Sequence, residues 1–203
     1  MDTHKIEALK DLIKEKAIVV NINGITLSSG NKSIYYYDLK KVALNPRGAN
    51  LIADLLFEEI SILNARSVGG LEIGAIPITT AILMKSAKEH QLSGFVVRKH
   101  AKEHGLKYTV EGNMDPPVVI VDDVLTTGAS LMKAIQAIRE EGFDVKYVFC
   151  ILEREENNEL KKSHTKYTAL FKHSDFKPFI ETEIKKQKDQ QIQASKFSRT
   201  NVR

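Results

Sequence analysis

The stretch Val118–Ser130, VVIVDDVLTTGAS, constrains this chain more than any other. Four apolar residues of the kind that form a strand buried on both faces run into two adjacent carboxylates, Asp122 and Asp123. A turn of small and hydroxylated residues follows, then GASLMKAIQAIREEG. That last segment predicts a helix with Leu131, Ile135 and Ile138 on one side and Gly142 as its stop. A buried strand that feeds a helix through a tight turn is the repeating unit of a parallel sheet. Two like charges side by side favour no strand, so a charged or hydroxyl-rich partner is expected opposite them.

The rest of the chain repeats the alternation. The opening residues 1–16, MDTHKIEALKDLIKEK, predict an amphipathic helix with Ile6, Leu9, Leu12 and Ile13 on one side. Residues 17–44 alternate apolar and polar residues around Gly24 and Gly30 and predict short strands joined by turns. NPRGANLIADLLFEEI opens a helix with Asn45 as N-cap and Pro46 at the first helical position. ARSVGGLEIGAIPITTAILMKSAKEH predicts a strand, a glycine-rich turn and a helix. SGFVVRKH, DVKYVFCILERE and TKYTALF supply further strands, and the polar stretch 99–117, which lacks a period, predicts a long loop, functional or disordered. The expected fold is α/β, a mostly parallel central sheet flanked by helices, with a small N-terminal hood over about residues 1–45. The domain is expected to span 1–176. A basic polar tail at 177–203 is expected to form a short helix and then lose order, with a nucleic-acid or partner arm as the alternative.

Charge and cysteine usage exclude several classes. The formal net charge of +4 comes wholly from the tail, which holds seven Lys or Arg against three Asp or Glu from Lys177 onward. The neutral body gives no electrostatic basis for a nucleic-acid partner. No apolar run approaches a membrane span, and the charged N-terminal segment lacks the apolar core of a secretory signal. The single Cys150 lies in a strand and reads as a buried small hydrophobe. A cytoplasmic location is the expectation. The six histidines show no metal-ligand spacing with the cysteine, so no protein-ligated metal is expected.

In an open α/β sheet, ligands bind beyond the carboxyl ends of the strands. There, Thr126, Thr127, Gly128, Ala129 and Ser130 lead straight into a helix, offering backbone N–H groups, hydroxyls and a helix N-terminus to one anion, a phosphate above all. The two carboxylates cannot bind that phosphate and suit ribose hydroxyls or a metal ion. Neither a Walker loop nor a dinucleotide-binding GxGxxG occurs.

Strand, acidic pair and small-residue loop together resemble the PRPP-binding motif of type I phosphoribosyltransferases. The resemblance implies that Asp122 and Asp123 hold the ribose hydroxyls of 5-phosphoribosyl 1-diphosphate (PRPP), and that residues 126–130 cradle its 5-phosphate. RKHAKEHG, residues 98–105, resembles the mobile catalytic loop of the orotate phosphoribosyltransferases, which closes over the neighbouring subunit's site. It implies that Arg98, Lys99, Lys102 and His104 meet the pyrophosphate and that the protein is a homodimer. LSSGNKSIYYYDLKK is similar to the segment that bounds the orotate pocket, with Tyr36 and Tyr37 at the aromatic positions. GGLEIGAIP is similar to the pyrophosphate loop, and Arg154 stands where the family contacts the orotate carboxylate. Thr126 would also face the pyrimidine. Arginine suits a carboxylate because its planar fork makes two hydrogen bonds. The chain departs from the pattern at Ser28 and Gly74, where many relatives have lysine; Lys32 or Lys40 are candidates to compensate.

The implied reaction is orotate plus PRPP giving orotidine 5-monophosphate and pyrophosphate, with Mg²⁺ as cofactor, in pyrimidine biosynthesis. Lys102, His104, Asp122 and Asp123 are the implied catalytic residues. Two rivals remain, a phosphoribosyltransferase for another base and a non-catalytic PRPP- or nucleotide-binding regulator. The carboxylate-pairing Arg154 and the intact cationic loop count against them, and 203 residues leave no room for a fused decarboxylase.

Overall fold

The structure is a computed structural model that describes residues 1–26, 30–87, 90–99 and 109–200. Helix α1 (Thr3–Lys16) is capped by the Asp2 carboxylate and buries Leu9, Leu12 and Ile13, the side its apolar spacing predicts. Strands β1 (Ile18–Thr26) and β2 (Lys32–Tyr37) pair antiparallel as a separate hood. A short helix α2 (Lys40–Ala43) leads to α3 (Pro46–Ile62), whose Asn45 cap accepts from the N–H of Arg47 and Gly48 at 3.0 and 3.2 Å. Then follow β3 (Ser67–Leu71), α4 (Ala75–Ser86), β4 (Ser93–Val97), β5 (Val110–Gly112), β6 (Val118–Leu125) and α5 (Ala129–Glu140). The chain continues with β7 (Val145–Glu153), α6 (Glu159–Lys162), β8 (Tyr167–Lys172) and α7 (Lys177–Thr200).

The main sheet runs in the order β5-β4-β3-β6-β7-β8. All neighbours are parallel except β5, which pairs antiparallel with β4. β5 lies in the polar stretch that its sequence marks as a loop; three residues are too short to show a period. From β3 the chain moves outward to β4, then returns to β6 on the other side of β3. The order therefore reverses between β3 and β6, which is where an open α/β sheet opens a crevice for ligands.

Alternation along β6 divides the core. Val119 and Val121 pack in the cluster that includes Leu55, Leu56, Ile78 and Phe176, whereas Val118 and Ile120 join Leu131, Ile135 and Ile138 of α5. Burial of these side chains, about 1.5–3 kcal/mol each, fixes the sheet on both faces. Cys150 is fully buried in β7, as its setting predicts, and burial first, then the neighbouring Asp122, pushes its thiol up.

Two expectations are corrected. The strand does not stop at the acidic pair: β6 stays in register with β7 through Asp122↔Cys150, Val124↔Leu152 and Leu125↔Glu153. The tail does not make a short helix, since α7 extends over 24 residues. Its first turns bury Ile180 and pack Phe179 and Ile184 on the core. Farther on, its inward face turns from apolar residues to glutamine. Gln187 donates to Val20 O (2.8 Å) and accepts from Ile22 N (3.2 Å), where the β1–β2 register shifts. One amide thus does for β1 what a neighbouring strand would do.

Candidate active site

The crevice between β3 and β6 is lined by Leu71, Glu72, Ile73 and Gly74 after β3, by Lys99 after β4, by Asp122, Asp123 and Val124 of β6, and by Lys40 and Ser130. This part holds about 170 Å³. Lys40, Asp123 and Val124 also line a larger cleft of about 1140 Å³ containing Tyr36, Tyr37, Thr126, Thr127, Ala129, Lys133 and Arg154. The shared residues make the two one groove, running from the glycine-rich turn past the acidic pair to Arg154.

The acidic pair is the electrostatic centre. Asp122 is 8% exposed, and Asp123 donates its backbone N–H to an Asp122 carboxylate oxygen at 2.9 Å. Burial, then the like charge of Asp123, raises the Asp122 carboxyl to about 8. Two carboxylates held this closely cannot both ionise freely. The Asp123 carboxylate accepts from Val124 N (2.8 Å) and lies 4.0 Å from the Lys40 ammonium. Burial pulls the Lys40 ammonium down, but its hydrogen bond to Asp38 and the charge of Asp123 outweigh that and leave it raised. Lys40 thus enters the groove; Lys32 sits on β2 and is not among the residues lining it.

The turn after β6 opens α5 with no acidic residue in the first turn and no side-chain hydrogen bond from its cap. Thr127 Oγ1 accepts from Ala129 N at 3.4 Å, and the rest of this positive end can meet an external anion. Gly128 has φ +85°, a conformation that costs other residues energy. The turn is braced from behind: Glu159 N donates to Thr127 O at 2.8 Å. Asn158 caps α6 and donates to the buried Glu153 carboxylate, which Tyr167 also contacts at 2.6 Å.

At the far end, Arg154 N donates to Leu125 O (2.8 Å), and the Arg154 guanidinium carbon stands 5.2 Å from the Tyr35 ring centre. Tyr35 and Tyr37 share a face of β2 and pack edge to face at 5.7 Å. Tyr37 is buried and its hydroxyl lies 2.9 Å from His173 Nδ1. The motif points to Tyr36 and Tyr37, whereas Tyr35 and His173 are not expected from the sequence. The period-2 rule would have grouped Tyr35 with Tyr37; nothing local points to His173, which arrives from beyond β8.

Of the sequence-predicted residues, Asp122, Asp123, Thr126, Thr127, Ala129, Ser130, Tyr36, Tyr37, Lys99 and Arg154 line the groove, and Gly128 is buried beside them. Arg98 does not line it in this chain: it pairs with Glu111 of β5 at 3.5 Å. Lys102, His104 and Ser28 lie outside the described residues.

A hooded α/β sheet with an acidic pair at its switch point, followed by an anion-binding turn, defines a type I phosphoribosyltransferase fold. No family model matches the chain. It is 40% identical over 161 residues to the orotate phosphoribosyltransferase of Bradyrhizobium diazoefficiens, covering 75% of this chain and 86% of the relative. The Mycobacterium tuberculosis orotate phosphoribosyltransferase in complex with Fe(III) dicitrate is 32% identical with a TM-score of 0.72, over 84% of this chain and 98% of that one. The same enzyme in complex with PRPP is 26% identical with a TM-score of 0.68, over 86% and 93%. The chain belongs to the orotate phosphoribosyltransferase family, pentosyltransferases that move the phosphoribosyl group of PRPP to orotate.

Proposed function

We propose that PRPP lies along the groove, with its ribose hydroxyls on Asp122 and Asp123 and its 5-phosphate in the turn 126–130. Its pyrophosphate faces Lys99 and the Glu72–Gly74 turn. Orotate sits beyond, against Tyr36, Tyr37 and Thr126, with its carboxylate on Arg154. The observation that carries this reading is the continuity of the groove: an acidic pair, a helix N-terminus with no acidic residue in its first turn and an arginine fork open onto the same space. Their order matches that of a sugar, a phosphate and a carboxylated base.

Breaking the bond from the anomeric carbon to pyrophosphate leaves positive charge on the ribose ring and adds negative charge to the leaving group. The field of the acidic pair favours the ring; Lys99, with Lys102 and His104 from the loop, stabilises the departing oxygens. Among the described residues no third carboxylate or histidine joins Asp122 and Asp123 to form a dedicated metal site. Mg²⁺ is usually held by one or two carboxylates together with substrate phosphates and water, so a Mg²⁺ carried by PRPP fits this pair. When bound it supplies charge neutralisation at the pyrophosphate, and a cation there also relieves the repulsion between the two aspartates. The loop closes over the site of the neighbouring subunit in a homodimer and excludes water. No described helix is long and apolar enough to cross a membrane, and we assign the protein to the cytoplasm.

Mixing subunits tests the shared loop. Lys102→Ala and Asp123→Asn homodimers are each expected to be inactive with PRPP, orotate and Mg²⁺. Mixed dimers should regain activity at the one site that keeps both groups. A mixture as inactive as its parents would overturn the shared loop, and full activity after chelation of Mg²⁺ would overturn the cofactor assignment.

A further inference from the structure

We propose that Tyr35 and His173 are positioning residues for Arg154, holding its guanidinium ready for the carboxylate of the base. The inference rests on the reading of Arg154 as the carboxylate ligand. Three distant segments meet here: Tyr35 comes from β2, Arg154 from the end of β7, and His173 from the 3-10 turn His173–Asp175 after β8. The guanidinium carbon lies 5.2 Å from the Tyr35 ring centre. Behind it, Tyr35 and His173 stack at 5.0 Å with 14° between their planes.

The stack is itself tied to the core. The Tyr37 hydroxyl meets His173 Nδ1 at 2.9 Å, and Tyr37 packs on Phe176, which packs on Phe171. The Arg154 backbone is fixed independently by its bond to Leu125 O. Arginine is flexible along its stem but rigid in its fork, and two-point recognition of a carboxylate demands orientation as well as charge. An aromatic face supplies that orientation without adding an anion, which would compete with the base. An aspartate or glutamate partner would fix Arg154 equally well and neutralise it. Burial, then the positive charges of Arg154 and Lys177, lowers His173 and favours the neutral ring, which stacks near a guanidinium without repelling it.

Steady-state kinetics of Arg154→Ala, Tyr35→Leu, Tyr35→Phe, His173→Leu and His173→Gln test the inference, with orotate and PRPP varied separately. Tyr35→Leu and His173→Leu should each raise the KM for orotate about tenfold or more, the loss expected when a charge-assisted fork is misaligned. The KM for PRPP should stay close to native. Tyr35→Phe, which keeps the ring under the guanidinium, should restore near-native orotate KM. His173→Gln, a milder change that can still reach the Tyr37 hydroxyl, should fall between. An orotate KM raised by Arg154→Ala but native in Tyr35→Leu and His173→Leu would overturn the positioning role and leave the Arg154 reading standing. A native orotate KM in Arg154→Ala would overturn that reading itself. Equal rises for both substrates, or no rescue by Tyr35→Phe, would show a merely structural role and overturn the inference.

Discussion

A Cβ at position 74 would stand 2.6 Å from Oδ1 of Asp123 and 2.8 Å from its Cγ, so residue 74 and the acidic pair compete for one space. The glycine lets the Asp123 carboxylate lie against the turn after β3, where Lys40 approaches it. Gly74→Ala should leave the fold almost intact, because the atoms it meets end a side chain that can rotate. The rotation moves the group assigned to a ribose hydroxyl. The KM for PRPP should rise roughly tenfold, equivalent to about 1.4 kcal/mol, with thermal stability close to native. A native KM would show that the Asp123 position is unimportant for PRPP.

The raised Asp122 carboxyl links stability to pH. Its folded value of about 8 lies above that of an exposed aspartate, so between the two the folded state keeps a proton that the unfolded state has lost. Stability from this group is complete at acid pH and is lost as pH rises toward 8. The charges facing it include Asp123 and Lys99. Asp122→Asn has no such proton to lose. Its stability relative to native should therefore grow with pH, by up to about 1.4 kcal/mol per unit, while activity is lost. Urea midpoints of ligand-free protein at pH 5 and pH 8 check this; an equal difference at both would contradict it.

Gly128→Ala should damage the turn twice over. The φ of +85° costs a non-glycine residue about 1–2 kcal/mol. The added carbon would also stand 3.1 Å from Glu159 N, the group that braces Thr127. We expect a loss of about 1–2 kcal/mol in denaturant unfolding and weaker PRPP binding by calorimetry. Native PRPP affinity would argue against a phosphate seat at residues 126–130.

Gln187→Leu removes both amide bonds to β1. Stability should fall by about 1–3 kcal/mol, and the Ile22 N–H should exchange with solvent faster. Gln187→Glu keeps only the acceptor and should lose less. Unchanged exchange at Ile22 would mean that β1 holds its irregular stretch without α7.

Most of the fold is legible in local pattern. The 3.6-residue spacing in α1 and α5, the Asn45-Pro46 start of α3 and the apolar run of β6 each depend on neighbours in sequence. The missed parts depend on distance in space. β5 pairs on the β4 edge with three residues from a polar stretch, and α7 is tied to β1 by Gln187 and Gln191. The same division holds at the site. The acidic pair and its turn are contiguous and carry a motif, so they were visible. Lys40 is legible only as one of two candidates, because its approach to Asp123 depends on tertiary packing, and His173 is not legible, because β8 delivers it to Tyr35. Arg98 shows the converse: a cation that belongs to a motif in sequence pairs with Glu111 of β5 instead.

In the proposed function, one groove seats PRPP beside a carboxylated pyrimidine. Purified protein with PRPP and Mg²⁺, offered orotate, uracil, hypoxanthine and adenine in parallel, tests it through the nucleotide formed. Orotidine 5-monophosphate should form from orotate, and no nucleotide from the three bases without a carboxylate, which give the Arg154 fork nothing to bind. Turnover of uracil or a purine at a rate matching or exceeding that of orotate would contradict it.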